Sequence, residues 1–272
     1  MRIFFILSVG ILLASCHSTK TAEITTSPEP KPATEHTKDL VMGKVEIQHF
    51  SDYAADTTVH TLSYMYYDAT IGPKAVYKDS INQHIIDFTR TSTEFEIDES
   101  RTATLNNEFF EAQLKLFEAI AAEEYALDET ANLWDYQGNI AITEYPDFVT
   151  LEMGNWTYTG GAHGNGFTGY TMIDRKTGSV LKLADFVTDL STFAVIAERE
   201  FRKDNEIGAN DNLLDLGFWF EEGKFQCNEN FYFENNEMVF FYNNYEIAPY
   251  SAGQITFSIS LSDLKDLLRI KP

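Results

Sequence analysis

A glycine-rich stretch with one histidine lies in the middle of the chain, and it constrains the fold more than any other feature. Residues 158–166 read Y-T-G-G-A-H-G-N-G. Glycine reaches positive φ without a Cβ clash, and it lets a second chain segment or a ligand come close. The flanking residues 148–153 and 167–173 are rich in β-branched and aromatic side chains, which is typical of strands. The stretch therefore predicts a tight crossing between two strands.

His163 in this stretch has three interpretations. It is a metal ligand, a general base, or a hydrogen-bonding residue that holds the loop. No second His, Cys or acidic residue stands nearby at the spacing of a metal site, which favours the third interpretation and predicts no metal. A phosphate-binding P-loop is excluded, since the Lys-Ser/Thr pair that would reach the phosphates is missing.

The N-terminus predicts export and a lipid anchor. After Met1 and Arg2, residues 3–13 are almost entirely apolar, but a membrane-spanning helix needs about 20 such residues. The run therefore indicates a signal peptide over residues 1–15. Its end, L-A-S-C, resembles the lipobox of bacterial lipoproteins. That resemblance implies lipidation of Cys16, so that the protein contacts a bacterial envelope membrane through its lipid anchor only, facing the periplasm or the cell surface.

The role expected for the remaining cysteine follows from the lipid anchor. Cys227 is the second of two cysteines, so lipidation of Cys16 leaves it without a partner in the chain, and we expect a small core residue there.

Residues 16–43 are rich in Ser, Thr and Pro. Such a segment buries too little apolar surface to fold, which predicts a disordered linker.

Charge limits the possible partners. The chain of 272 residues has a formal net charge of −22. Binding to nucleic acid requires clustered Lys and Arg, so no nucleic-acid partner is expected. An acidic surface attracts basic proteins or cations, most strongly at low salt.

Hydrophobic periodicity predicts both strands and helices. Alternation indicates strands at 44–50, 58–67 and 254–259, and a hairpin of 231–234 with 237–242 through Asn235 and Asn236. Glu234 would then face Glu237, and this like-charge pair favours a wider turn. Apolar stripes predict helices at 75–88, 105–125, 190–202 and 262–268. The stripe of the second helix is assigned to Leu105, Phe109, Leu114, Phe117, Ile120 and Ala121. Residues 134–139 are expected to form turns.

These elements together predict an α+β fold. We expect antiparallel sheets with helices packed on one face of each. The chain is long enough for two small, intimately packed domains, which we place at residues 44–160 and 161–272, with the boundary at the glycine-rich stretch.

Two motifs in the second half carry a resemblance to a known family. The first is T-G-G-A-H-G at 159–164, continued by residues 170–178 and 181–186, and the second is Y-E-I-A-P-Y-S-A-G at 245–253, followed by a strand and residues 261–264. They resemble the start and the end of a bacterial envelope domain of unknown function. Residues 44–153 are similar to the domain that usually precedes it. This pair of domains occurs in lysozyme-sensing anti-sigma factors of the RsiV type, ahead of the catalytic domain of some peptidoglycan deacetylases, and alone in many lipoproteins.

The resemblance implies a binding module and not an enzyme. An anti-sigma factor needs a cytoplasmic segment before its membrane helix and a deacetylase needs a downstream catalytic domain, and the sequence offers neither. We therefore expect a non-enzymatic envelope lipoprotein without a cofactor, whose ligand is a basic protein such as lysozyme, or peptidoglycan. The candidate ligand-binding residues are Gly160, Gly161, His163, Asn165 and Tyr250. The alternative is an envelope hydrolase or a deacetylase-associated protein that uses His163.

Overall fold

The computed structural model describes residues 38–50, 57–94, 103–127 and 133–272. The predicted signal peptide and Cys16 lie outside these residues. Lys38–Pro272 form one compact unit. Its strands are β1 Leu40–Phe50, β2 Thr57–Tyr67, β3 Asp135–Glu144, β4 Phe148–Tyr158, β5 Asn165–Asp174, β6 Val180–Leu181, β7 Phe231–Glu234, β8 Glu237–Tyr242 and β9 Ile255–Ser260, and its helices are α1 Val76–Thr93, α2 Asn107–Leu127, α3 Leu183–Phe186 and α4 Leu190–Asp204.

In this part of the chain, six strands form a large sheet in the order β1-β2-β3-β4-β5-β6, and three form a small sheet in the order β7-β8-β9. The α+β class is confirmed. Every pairing is antiparallel except that of β2 with β3, where residues Thr61–Ser63 run parallel to Gln137–Asn139. The two helices α1 and α2 connect these strands, and a crossover of that length is what parallel neighbours require.

Two hydrophobic cores lie on opposite faces of β4 and β5. Successive strand residues point to opposite faces, and neighbouring residues of these strands join different cores. Val149 and Ile173 belong to the first core, with α1 and α2. Phe148 and Met172 belong to the second core, with α4 and the small sheet. Apolar side chains are therefore buried on both faces of β4 and β5, and this part of the large sheet lies between the two cores.

The long helices form where their apolar stripes predict. α1 ends at Thr93, five residues beyond the predicted end at 88. Of its predicted apolar stripe, Tyr77, Ile81 and Ile85 are buried and Phe88 is partly buried. In α2 the buried face differs from the predicted stripe. Phe110 is fully buried and Phe109 only partly, Ile120 is also only partly buried, and Leu105 lies before the first helical residue. Phe110 stacks on Tyr64 of β2, with ring centroids 4.1 Å apart. Packing against the sheet thus decides between two adjacent phenylalanines that the sequence alone cannot distinguish.

The hairpin of β7 and β8 has the predicted register but a tighter turn. Phe231 pairs with Phe240 and Phe233 with Met238, and Glu234 directly faces Glu237. The prediction of a wider turn was wrong. Asn235 and Asn236 have φ values of 48° and 66°, which is the left-handed conformation that a two-residue hairpin turn requires and that Asn tolerates. Since Glu234 is exposed and Glu237 is half-buried, solvent screens their repulsion.

Three further boundaries differ from the prediction, each because of tertiary pairing. β1 begins at Leu40 and not at Lys44, since its first residues pack against the first core. Residues 135–139, predicted as turns, belong to β3. All of them pair with β4, and residues 137–139 also pair with β2. Residues 262–268 form turns and not a helix, because their backbone bonds the segment after α3. The Thr188 amide donates to the Leu267 carbonyl at 2.9 Å.

None of the helices in the described residues combines the length and the apolar composition that crossing a membrane would require.

Candidate functional site

The loop between β4 and β5 contains the glycine-rich stretch. Gly160 and Gly161 have φ values of 93° and 91°, a conformation that L-residues with a side chain rarely adopt. A Cβ at either position would meet nothing within 4 Å. The Tyr158 hydroxyl donates to the Gly161 carbonyl at 2.9 Å. These two glycines are therefore required by backbone conformation and not by the close approach of another group.

Gly164 has the opposite role in the same loop. A Cβ there would lie 2.6 Å from Cε2 of Trp156 and 2.9 Å from the carbonyl oxygen of Thr157, well inside contact distance. The Tyr250 hydroxyl donates to the Gly164 carbonyl at 2.8 Å. Gly164 is thus the position where a ring of β4 and a distant segment both approach the loop backbone.

Replacing Gly164 with alanine is expected to lower the free energy of unfolding by about 2 kcal/mol, because overpacking forces the Trp156 ring or the backbone to move. Gly166→Ala is the matched control, since its Cβ would have no neighbour closer than 3.7 Å. Urea denaturation of both variants measures the difference. Equal stability of the two variants would show that the loop adjusts without cost.

His163 lies directly on Tyr250. Their ring centroids are 3.7 Å apart with an interplanar angle of 16°, a stacked pair. Nδ1 of His163 lies 2.9 Å from the Gly164 carbonyl oxygen, which only accepts hydrogen bonds, so Nδ1 carries the proton. Nε2 lies 3.3 Å from the Tyr245 hydroxyl. Both ring nitrogens are therefore engaged by the protein.

Tyr245 completes the site from a strained turn. It has a φ of 66°, which is uncommon for an aromatic residue. The turn is closed by two hydrogen bonds between Asn243 and Glu246: the Glu246 amide donates to the Asn243 carbonyl at 3.1 Å, and the Asn243 amide donates to the Glu246 carboxylate at 2.8 Å. The Tyr245 side chain is 50% exposed, and its ring centroid lies 5.4 Å from that of Tyr250. We call His163, Tyr245 and Tyr250 the aromatic cluster.

The predicted site residues are only partly brought together. His163 and Tyr250 are in direct contact, although 87 positions separate them in the numbering. Gly160 and Gly161 shape the loop that presents His163. Asn165 opens β5 opposite Thr157 and is exposed. Within the described residues, no side-chain hydrogen bond joins Asn165 to the aromatic cluster.

Sequence reasoning missed two asparagines that fix β5 to the small sheet. The Thr168 amide donates to the side-chain oxygen of Asn243 at 2.7 Å, and the Tyr170 amide donates to that of Asn230 at 2.7 Å. Both side-chain amides donate back to the Thr168 carbonyl, at 3.0 and 2.9 Å. These side chains therefore bond the backbone of β5 beyond the part paired with β6. The signal in the sequence is weak, because Asn at a strand end equally predicts a turn.

Cys227 is unsuited to nucleophilic chemistry. It is half-buried and packs against the second core, in keeping with the small core residue expected there. Burial, and secondarily the charge of Glu229, raise the pKa of its thiol to about 12, so the reactive thiolate is scarce at neutral pH. Among the described residues, no group of three His, Cys, Asp or Glu side chains is arranged to hold a metal ion.

The fold and the site together define an α+β protein in which a glycine loop of the large sheet presents an exposed aromatic cluster. Residues 184–262 match the family model of DUF3298, described as a protein of unknown function. The matched range includes the second sequence motif but not the glycine loop. No match was found among curated proteins.

Solved structures of that family share the fold. The chain is similar to the crystal structure of a DUF3298 member from Bacteroides fragilis NCTC 9343, with a TM-score of 0.63 and 21% identity over 86% of this chain and 95% of the other. It is also similar to a DUF3298 family protein from Pseudomonas aeruginosa PAO1, with a TM-score of 0.53 and 16% identity over 85% and 94% of the two chains. At these identities the likeness concerns the fold.

Proposed function

We propose that this protein is a non-enzymatic ligand-binding module of the bacterial cell envelope, and that its ligand is a basic protein such as a lysozyme. The observation that carries the proposal is the stacking of His163 on Tyr250. Through it, the two sequence motifs that resemble the lysozyme-sensing family meet on one surface, at the exposed Tyr245.

The chemistry of the aromatic cluster suits a basic protein partner. Exposed tyrosine is enriched at binding surfaces, because it supplies a large contact area at a low entropic cost. Tyrosine faces also attract Lys and Arg side chains by cation–π interaction. The net charge of −22 adds a long-range attraction that increases the rate of encounter with a basic partner.

The hydrogen bonds of His163 support a positioning role for this residue and not a catalytic one. A general base needs a ring nitrogen within reach of the proton that it removes. Here Nδ1 bonds the Gly164 carbonyl and Nε2 faces the Tyr245 hydroxyl. The His163 side chain thus holds the glycine-rich loop against the 245–253 segment.

The proposed location is the bacterial cell envelope, facing the periplasm or the cell surface, with a lipid anchor on Cys16. The support is the apolar run at 3–13 followed by L-A-S-C at 13–16. A lipid anchor leaves the folded part free in the aqueous phase, where a secreted lysozyme or the cell wall would reach it.

Titration of a lysozyme into a chain that begins at Lys38, the start of the compact unit, tests the proposal by calorimetry. We expect saturable binding that persists when the salt concentration rises from about 0.05 to about 0.5 M, because the interface is not formed by charge alone. Tyr245→Ala is expected to weaken binding by about tenfold or more, as truncation of an aromatic contact residue does.

Phe50→Ala is the matched control, since Phe50 is an aromatic residue that is 67% exposed and lies on β1, three strands away from β4 in the large sheet; the affinity of this variant should equal that of the unmodified chain. Loss of binding at high salt would show that the interaction is charge attraction alone. Absence of lysozyme binding together with binding of soluble peptidoglycan fragments would assign the surface to a cell-wall glycan.

A further inference from the structure

Strand β1 forms one end of the large sheet. Within the described residues it pairs with β2 only. Every second residue of an antiparallel strand directs its N–H and C=O away from its partner. The outer edge of β1 therefore presents unpaired backbone groups along Leu40–Phe50, and such an edge is a template for a further strand.

The two faces of β1 differ in the exposure of their side chains. Its inner face includes the buried Val45 and His49, which continue the first core towards the edge. Its outer face has two large exposed apolar side chains, Met42 at 65% and Phe50 at 67%. A further strand would cover both faces only if its own residues alternated in the same way.

The charges on the outer face are self-complementary. Lys44 and Glu46 stand two residues apart on opposite sides of Val45, form an ion pair with Nζ and Oε2 3.2 Å apart, and each have a side chain that is 53% exposed. Val45 is also the central residue of the eleven-residue strand. In an antiparallel pair of two such strands centred on Val45, Lys44 of each copy faces Glu46 of the other.

We propose that β1 pairs antiparallel with β1 of a second copy of this chain, about a twofold axis at Val45. This register aligns the full length of both strands and sets Leu40 opposite Phe50 and Met42 opposite Gln48. It keeps the inner residues of both strands on one face, so that the large sheets of the two copies become continuous.

The neighbouring registers are unfavourable. Centring the pair on position 44 sets two lysines directly opposite each other, and centring it on 46 does the same with two glutamates. Like charges directly opposite in a sheet are destabilising. The arrangement of charge thus favours the register centred on Val45, which is also the register in which the two strands overlap most. This proposal is independent of the ligand of the aromatic cluster.

Charge reversal tests the pairing on the full chain, by sedimentation equilibrium in a density-matched detergent. The unmodified protein should have twice the mass of one chain. Lys44→Glu and Glu46→Lys should each raise the dissociation constant about tenfold, because the twofold axis repeats each like-charge pair. The double variant K44E/E46K restores both opposite-charge pairs and should restore the dimer. Lys115→Glu is the matched control, since Lys115 is exposed on α2 in a comparable pair with Glu111.

A single-chain mass for the unmodified protein would overturn the proposal, including the case in which another segment of the same chain occupies the edge. A dimer that is equally stable in both single reversals would place the contact elsewhere. A double variant weaker than either single reversal would reject the register centred on Val45.

Discussion

Replacing Phe201 with alanine is expected to lower the free energy of unfolding by about 4 kcal/mol. Phe201 on α4 is fully buried. Its ring contacts five other aromatic rings at centroid distances between 4.9 and 6.3 Å, those of Phe218, Phe220, Phe225, Tyr242 and Phe257. Most of these contacts are edge-to-face, the geometry that aromatic pairs favour beyond simple burial.

The size of this effect follows from the position of Phe201. The side chain joins α4 to both β8 and β9 and to the irregular segment 218–225, so its removal leaves a cavity that no single element can fill by moving. Urea denaturation measures the change. Val195→Ala on the same helix is the control, since Val195 is 70% exposed and should change stability by less than about 0.5 kcal/mol. If Phe201→Ala lowered the free energy of unfolding as little as Val195→Ala does, the second core would tolerate the cavity.

Lowering the pH from 7.5 to 4 is expected to remove about 3 kcal/mol of stability through His60 alone. His60 is fully buried on β2, and within the described residues neither ring nitrogen has a hydrogen-bond partner. Burial, and secondarily the charge of nearby His49, lower the pKa of His60 from 6.5 to about 4. The surroundings are the edge of the Phe117 ring at 5.2 Å and His49 at 6.2 Å, itself 3.6 Å from the Glu118 carboxylate.

The sign of the effect follows from proton binding. Between pH 6.5 and about 4 the unfolded chain binds a proton at His60 that the folded protein does not bind. Stability is therefore complete above pH 6.5 and falls as the pH falls through this window. Other groups titrate in the same range, so the measurement is the difference between the unmodified protein and His60→Leu, a substitution of similar volume without a titratable group.

Urea denaturation at a series of pH values gives this difference. Relative to the unmodified protein, His60→Leu should gain about 3 kcal/mol between pH 7.5 and pH 4. Between pH 7.5 and pH 9 the difference should stay constant, because His60 is neutral in both the folded and the unfolded state there. Stability curves that run parallel down to pH 4 would contradict an uncharged, buried His60.

The sequence by itself determined the class of the fold and most of its elements. Alternation identified strands such as β2 and the hairpin of β7 with β8 down to the pairing of Phe231 with Phe240, because side chains point to opposite faces with a period of two. The stripe of Tyr77, Ile81 and Ile85 identified α1. These signals are local, and local periodicity suffices where one face is buried.

Of the site, the sequence determined the loop and its two notable residues. The glycines at 160 and 161 predict a backbone that only glycine adopts readily, and the structure has positive φ at both. His163 and Tyr250 were each identified as candidates, but from separate motifs. Nothing in a local pattern indicates that their rings stack, because that contact depends on how the small sheet lies against the large one.

Only the tertiary structure decided the features that depend on partners distant in the chain. Residues 135–139 form a strand because β4 pairs with all of them and β2 pairs with residues 137–139, whereas their composition predicts turns. Residues 262–268 do not form a helix, because the segment after α3 bonds their backbone. The Phe110 ring is chosen over that of Phe109 by its stack on Tyr64. Pairing and packing energies at these positions exceed local propensities of less than about 1 kcal/mol per residue, and the residues that supply them lie elsewhere in the chain.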